Sequence, residues 1–167
     1  MGHRYTIGLE YGAVAVDLCG ALWLGGESEL GGTFWRSTDA EALGQLAAQG
    51  SKYVFGRQRP SQTNNPNEWF KGAHAQSFPS GEVTLQASFV SPFILSYAER
   101  NPSIWVLELL PAYDAVARVK EGGHWQSDVV AGWALGTAFG DYATKSRSPF
   151  FLKPLPHGIV VGFRSRF

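Results

Sequence analysis

The stretch Gly-Gly-His-Trp-Gln-Ser-Asp-Val-Val-Ala-Gly, residues 122–132, is the part of the sequence from which we predict the fold and the candidate site. Its two leading glycines interrupt whatever precedes them, and a helix-like run begins near His124. Asp128 follows four residues later, so both side chains are predicted to share one helical face, where the carboxylate can bind one imidazole nitrogen. Arg118 stands six residues before His124. An oriented imidazole beside a cation suits attack on phosphorus; the plainer alternative is a surface histidine paired with an aspartate.

Composition limits the function classes. The chain has 167 residues, which favours a single domain over residues 1–167. It carries 14 basic and 14 acidic residues, and this balance gives no support for nucleic-acid binding. With 44% hydrophobic, 17% charged and 14% aromatic residues, it fits a compact body with apolar surface that could contact a membrane. Cys19 is the one cysteine, which excludes an internal disulfide, and four scattered histidines form no metal-ligand pattern. We therefore predict neither a metal nor a cofactor.

The N-terminus has no basic and then apolar signal sequence. Met1 is the one methionine of the chain, which favours the hypothesis that a leader or membrane segment has been removed. No apolar run reaches the length of a membrane span.

The apolar pattern and the cap residues predict an all-α fold, a compact helical bundle of about five to six helices with a long polar loop and an extended C-terminal tail. Thr38-Asp39-Ala40-Glu41 has the form of a capping box, so the second helix is predicted to begin near Asp39. Pro92 and Pro111 are predicted to kink or break their helices. The predicted helices are 5–24, 39–55, 83–100, 104–119 and 124–143, with the loop at 61–78 and the tail at 148–167.

Two further segments carry residues typical of phosphate binding. Lys52 and Arg59 are seven residues apart, two helical turns, so both can face one pocket. Ser80 and Gly81 precede a predicted helix, whose free N–H groups and dipole favour an anion at that point. Taken alone, Lys52 and Arg59 would indicate a solvated helix face, and Ser80 with Gly81 would indicate an ordinary helix cap. Together, three separated segments supply phosphate-type ligands: Lys52 with Arg59, Ser80 with Gly81, and Arg118 with His124.

On these residues the chain resembles the type 2 phosphatidic acid phosphatases, which share an active site with vanadium haloperoxidases and bacterial class A acid phosphatases. The family's first motif, Lys, six residues, Arg-Pro, matches residues 52–60. Its second, Pro-Ser-Gly-His, matches residues 79–81, with Glu82 in place of the histidine. Its third, Ser-Arg, five residues, His, three residues, Asp, matches Arg118, His124 and Asp128, with Ala117 in place of the serine.

The resemblance implies a metal-independent phosphatase acting on a phosphomonoester or diphosphate, lipid-linked, at the cell envelope or in the periplasm. It implies that His124 attacks phosphorus to give a phosphohistidine and that Asp128 orients it. It also implies inhibition by phosphate or vanadate. The residues that it assigns to the phosphoryl oxygens are Lys52, Arg59, Arg118, Ser80 and Gly81.

Glu82 departs from the family's histidine, which protonates the leaving group, and its role stays open. Glu82 can itself be the acid, a contribution of about 10²–10⁴-fold in rate. It can instead be a structural partner of Lys52 or an arginine in a slow or inactive protein, or an engineered or drifted change. The plainest alternative is a glutamate that favours the helix dipole. His74, in the polar loop, is a further candidate for the missing imidazole.

Two other functions compete with the phosphatase. One is a non-catalytic protein that binds phosphate or a phospholipid head group on the same fold. The other is vanadium-dependent halide oxidation on the same oxyanion site.

Overall fold

The computed structural model describes residues 2–146, 150–155 and 158–163. Five α-helices form a compact bundle, as predicted, and a 3-10 helix precedes the fourth. The predicted extended tail contains an antiparallel pair of strands, in which Phe150 lies opposite Phe163. None of the described helices combines the length and the apolar character that crossing a bilayer requires. The elements are α1 Gly2–Leu24, α2 Glu29–Phe55, α3 Gly81–Tyr97, the 3-10 helix Pro102–Glu108, α4 Leu109–Lys120, α5 Gln126–Lys145, β1 Phe150–Leu155 and β2 Gly158–Phe163.

The second helix starts ten residues before its predicted start. Ser28 is its N-cap, and the Ser28 hydroxyl accepts a hydrogen bond from Gly31 N at 3.0 Å. The predicted capping box at residues 38–41 is therefore wrong. Thr38 Oγ1 donates to the carbonyl of Phe34, 3.0 Å away, as hydroxyls commonly do inside a helix. The long loop between α2 and α3 is present, as predicted.

The fifth helix begins two residues after its predicted start. Trp125 is the N-cap of α5, and its backbone N–H donates to Asp128 Oδ2 at 2.9 Å. His124 thus precedes the helix and does not share a helical face with Asp128, which corrects the predicted geometry. In α4, Pro111 lies in the first turn, where the missing N–H costs nothing, so it does not break the helix.

Small residues bring α3 and α5 close together. Gly132, Gly136 and Gly140 recur every fourth residue on the face of α5 that meets α3. A Cβ at Gly136 would overlap the carbonyl oxygen of Thr84 and lie 2.7 Å from the Ala87 Cβ. This close approach joins the two helix starts, since Ser80 N donates to the Asp128 carbonyl at 3.0 Å. The packing therefore places the start of α3 beside the start of α5.

The contact between α1 and α2 contains two buried carboxyl groups. Asp17 and Glu41 are both almost fully buried. Burial raises the pKa of Asp17 to about 8. Burial and the neighbouring Asp17 raise the pKa of Glu41 to about 9. Both groups are therefore protonated at neutral pH, which removes the cost of burying two like charges.

We expect Gly136→Ala to destabilise the protein by about 1–3 kcal/mol or more, because its Cβ must displace backbone of α3. The matched control is Gly50→Ala in α2, where a Cβ meets nothing within 4 Å. That substitution should stabilise the protein by up to about 1 kcal/mol, since alanine favours a helix over glycine. Urea denaturation measures both. Equal effects at the two positions would contradict the close approach of α3 and α5.

Candidate active site

His124 is fully buried, and both of its ring nitrogens have partners. Nδ1 lies 2.6 Å from the carbonyl oxygen of Ser77, so Nδ1 donates the hydrogen bond. Nε2 lies 3.1 Å from Glu82 Oε2. The ring orientation is therefore fixed by the loop before α3, and Nε2 is the nitrogen that faces the candidate anion site.

Asp128 does not bind His124, contrary to the prediction. Its buried carboxylate accepts hydrogen bonds from an Arg57 guanidinium N–H, from the Ser77 hydroxyl at 2.6 Å and from Trp125 N at 2.9 Å. This difference from the predicted partner has a physical cause. Asp128 lies in the first turn of α5, where its carboxylate accepts a hydrogen bond from an otherwise free backbone N–H. Asp128 still acts on the imidazole indirectly, because it holds the hydroxyl of Ser77, whose carbonyl holds Nδ1.

Arg57 is a site residue that sequence reasoning missed. Besides its ion pair with Asp128, its guanidinium donates to the Pro66 carbonyl at 2.7 and 3.0 Å. The guanidinium also lies 4.3 Å from the ring centre of Trp69 and 5.5 Å from that of Trp125, within the range of cation–π attraction. Arg57 therefore fastens the long loop to the start of α5. The signal available in the sequence was its place in the first motif, two residues before Arg59.

The Glu82 carboxylate is surrounded by hydrogen-bond donors from Arg118 and Ser80. Arg118 is almost fully buried, and its Nη2 donates to Glu82 Oε1 at 2.7 Å. Its Nη1 lies 3.3 Å from Glu121 Oε2. Ser80 caps α3, and its hydroxyl lies 3.4 Å from Glu82 Oε2. The structure thus brings together Ser80, Arg118 and His124, as the sequence predicted.

The Glu82 carboxyl group is ionised at neutral pH. Burial by itself raises its pKa, but the hydrogen bond and charge of His124 and the charge of Arg118 together outweigh burial. The net result is a pKa well below its usual range. Glu82 is the acceptor that Arg118 and His124 share.

Lys52 and Gly81 lie together at a cavity that Glu82 also lines. Lys52 is buried, and a Cβ built on Gly81 would lie 3.2 Å from its Nζ. Gln45 fixes this part of α3, because its Nε2 donates to the Gly81 carbonyl at 2.6 Å. A cavity of about 140 Å³ opens here. Its lining residues are Gln45, Gln49, Lys52, Gly81, Glu82 and Leu85.

Two candidates from the sequence are not joined to this group. Arg59 is held through its backbone N–H, which donates to Gln62 Oε1 at 2.9 Å, and no hydrogen bond or ion pair links its guanidinium to a described residue. His74 is exposed and makes no hydrogen bond to the site. Within the described part of the chain, no group of three or more His, Cys, Asp or Glu side chains is suited to a metal ion.

Comparison with known proteins places this site in a family. The PAP2 superfamily model matches residues 38–150, which is more than half of the chain and includes every candidate site residue. The chain belongs to the PAP2 superfamily. In this PAP2 chain Arg118 and His124 both contact the carboxylate of Glu82.

Two curated relatives are named as lipid phosphatases. A lipid A 1-phosphatase of Porphyromonas gingivalis is 32% identical over 61% of this chain and 22% of its own length. An undecaprenyl-diphosphatase of Sulfolobus acidocaldarius is 32% identical over 52% of this chain and 42% of its own length. The chain therefore spans less than half the length of either relative. No solved structure shows a significant match to it.

We expect Arg57→Ala to cost about 3–5 kcal/mol of stability, because it leaves the buried Asp128 carboxylate without its cation. Arg100→Ala is the matched control, since Arg100 pairs with Glu29 on the exposed surface. That change should alter the unfolding midpoint little, because water screens exposed pairs. Chemical denaturation compares the free energies of unfolding of the two variants. A small loss of stability for Arg57→Ala would show that the ion pair between Arg57 and Asp128 is dispensable.

Proposed function

We propose that this PAP2 chain is a metal-independent phosphatase that hydrolyses a lipid-linked phosphomonoester or diphosphate through a phosphohistidine on His124. One observation carries the proposal. Arg118 Nη2 and His124 Nε2 bind the two oxygens of one carboxylate, with the Ser80 hydroxyl 3.4 Å from one of them. A carboxylate is planar and a phosphoryl group is tetrahedral, but both are oxyanions that the same donors bind. This geometry therefore supports an oxyanion site beside a histidine.

In the proposed reaction, the Nε2 lone pair of His124 attacks phosphorus while the bond from phosphorus to the leaving oxygen breaks. The Arg118 guanidinium, the Ser80 hydroxyl and the start of α3 stabilise the negative charge on the phosphoryl oxygens. Lys52 contributes from the cavity that Glu82 also lines, and Arg59 is assigned a contribution by its motif alone. Ser77 keeps Nδ1 protonated, which fixes the ring tautomer, while Arg57 and Asp128 keep Ser77 in place.

Glu82 is the proposed general acid. In the free protein it is ionised, because His124 and Arg118 lower its pKa. A bound phosphoryl group takes up those positive charges, so the pKa of Glu82 rises and the carboxyl group can deliver a proton to the leaving oxygen. In the second half of the reaction water attacks phosphorus while the bond from phosphorus to Nε2 breaks, and the Glu82 carboxylate accepts a proton from that water. Inorganic phosphate then leaves and His124 is free again.

The lipid character of the substrate rests on two observations. Both curated relatives are named for a phosphorylated lipid. In addition, one face of the 3-10 helix and α4 carries large apolar side chains that are each more than half exposed: Trp105, Val106, Leu109, Tyr113 and Val116. Such a stripe suits contact with a membrane surface. We accordingly assign the activity to the cell envelope or periplasm.

A phosphate-binding protein without turnover is the second candidate. The observation in its favour is the contact between Glu82 and His124 Nε2, which covers the nitrogen that would attack phosphorus. Phosphate binding without phosphate release would select this function.

We expect His124→Ala to abolish release of inorganic phosphate, by at least about 10³-fold, because the nucleophile is lost. His74→Ala is the control, since His74 lies exposed in the loop. Phosphate release from a lipid phosphate is measured with and without a chelator, and again with vanadate. Phosphate release by the wild type should be unchanged by the chelator and should decrease when vanadate is added. Undiminished release by the His124 variant would show that another residue is the nucleophile.

We expect Glu82→Gln to lower turnover of an alkyl phosphate by about 10²–10⁴-fold and of nitrophenyl phosphate much less, because only the poor leaving group needs a proton. Steady-state kcat values for the two substrates give the comparison. Equal losses on both substrates would contradict the acid role of Glu82 and leave the role of His124 unaffected.

A further inference from the structure

We infer that the Glu82 carboxylate is an internal competitor that occupies the oxyanion position of the free protein, so that the site admits doubly charged phosphoryl groups and discriminates against singly charged ones. This makes Glu82 a specificity-determining residue. The inference rests on the proposed function, because it takes Arg118 and Ser80 to bind the substrate phosphoryl group and His124 to face its phosphorus.

The contacts of Glu82 are those expected of a bound anion. Its Oε1 accepts from Arg118 Nη2 at 2.7 Å, and its Oε2 lies 3.1 Å from His124 Nε2. The Ser80 hydroxyl, also a predicted phosphate ligand, lies 3.4 Å from the same Oε2. A glutamate that served only to favour the helix dipole would have no need of these three partners. The carboxylate thus uses the donors that a phosphoryl group requires.

The carboxylate and a phosphoryl group cannot occupy this position together. Reacting atoms must approach to about 3–3.5 Å before attack, and Glu82 Oε2 already stands 3.1 Å from Nε2. The two ring nitrogens of His124 then face two acceptors, the Ser77 carbonyl and the Glu82 carboxylate. While Glu82 is in place, its carboxylate therefore covers the nitrogen that would attack phosphorus.

The structure offers Glu82 a second position. The cavity of about 140 Å³ is lined by Glu82 but not by Arg118 or His124. Gln45 and Gln49 line this cavity, so side-chain amides are present to bind the displaced carboxyl group. Glu82 lies in the first turn of α3, and its side chain would reach the cavity by rotation about its own torsions. Substrate binding would then exchange the Glu82 carboxylate for the phosphoryl group at the same position.

Charge determines which ligands win this exchange. A ligand must gain more from Arg118 and His124 than the carboxylate loses, and a singly charged anion offers the same charge as Glu82 itself. A phosphoryl dianion has twice the charge and a third oxygen for Ser80. Monoesters and terminal diphosphates meet this condition, whereas a phosphodiester does not. The discrimination requires no contact with the rest of the substrate.

Calorimetric titration of the intact chain with two probes, inorganic phosphate and dimethyl phosphate, tests the inference at about pH 8, where phosphate is mainly the dianion. Ionic strength is held constant because salt screens these charges. The main variant is Glu82→Gln, which keeps the size of the side chain and removes its charge. The matched control is Glu121→Gln, which removes a charge beside the same guanidinium without emptying the oxyanion position.

We expect Glu82→Gln to lower the phosphate Kd by at least about tenfold, or ~1.4 kcal/mol, and Glu121→Gln to lower it less than about threefold. The wild type should bind dimethyl phosphate far more weakly than phosphate, and Glu82→Gln should narrow that difference. Glu82→Asp keeps the charge but is too short to reach both Arg118 and His124, so it should also tighten phosphate binding. Circular dichroism and a melting curve confirm that each variant is folded.

An unchanged or weaker phosphate Kd in both folded Glu82 variants would overturn the inference. Equal tightening in Glu82→Gln and Glu121→Gln would also overturn it, because net charge alone would then explain the effect. Neither result would affect the proposed function if phosphate release still depended on His124. Absence of phosphate binding in the wild type and in every variant would overturn the inference and the proposed function together.

Discussion

The buried carboxylate of Asp128 is the constraint on which the site depends. Its two oxygens receive the Arg57 guanidinium, the Ser77 hydroxyl and the backbone N–H of Trp125. The backbone carbonyl of Asp128 accepts a hydrogen bond from Ser80 N at 3.0 Å. One residue therefore fixes the end of the long loop, the start of α5 and the start of α3 relative to one another. The cost of burying its charge is offset by a cation and two further donors, which makes the arrangement costly to distort.

The order of the motifs allowed the convergence of Ser80, Arg118 and His124 to be predicted, but not the hydrogen bonds between them. A spacing of four residues implies a shared face only if both residues are helical. Here α5 starts at Gln126, and the N-cap is Trp125, a residue type that gives no capping signal in a sequence. Arg57 and Asp128 are separated by 71 residues. No local pattern connects two such residues, so their ion pair could not be predicted.

The bundle was predicted from apolar periodicity, whereas much of its interior is small and polar. Gly132 and Gly136 lie where helix backbones approach closely, and buried Asp17 and Glu41 stand between α1 and α2. The glycines near the start of α2 favour a loop by propensity. Packing overrides that preference, since Ser28 caps the helix and a side chain at Gly31 would overlap the Gly25 carbonyl. The start of α2 was missed for this reason.

The Glu82 carboxylate gives the empty site an electrostatic character that an imidazole in its place would not give. An imidazole can donate a proton without being an anion, so it has no reason to bind Arg118. A carboxylate must first be protonated, yet His124 and Arg118 hold its pKa low while the site is empty. In the proposed reaction the substrate removes that influence, because its phosphoryl charge satisfies the same two residues. Proton uptake by Glu82 would then be coupled to phosphoryl binding. Under this proposal, the residue that opposes entry of the anion becomes able to donate a proton once the anion has entered.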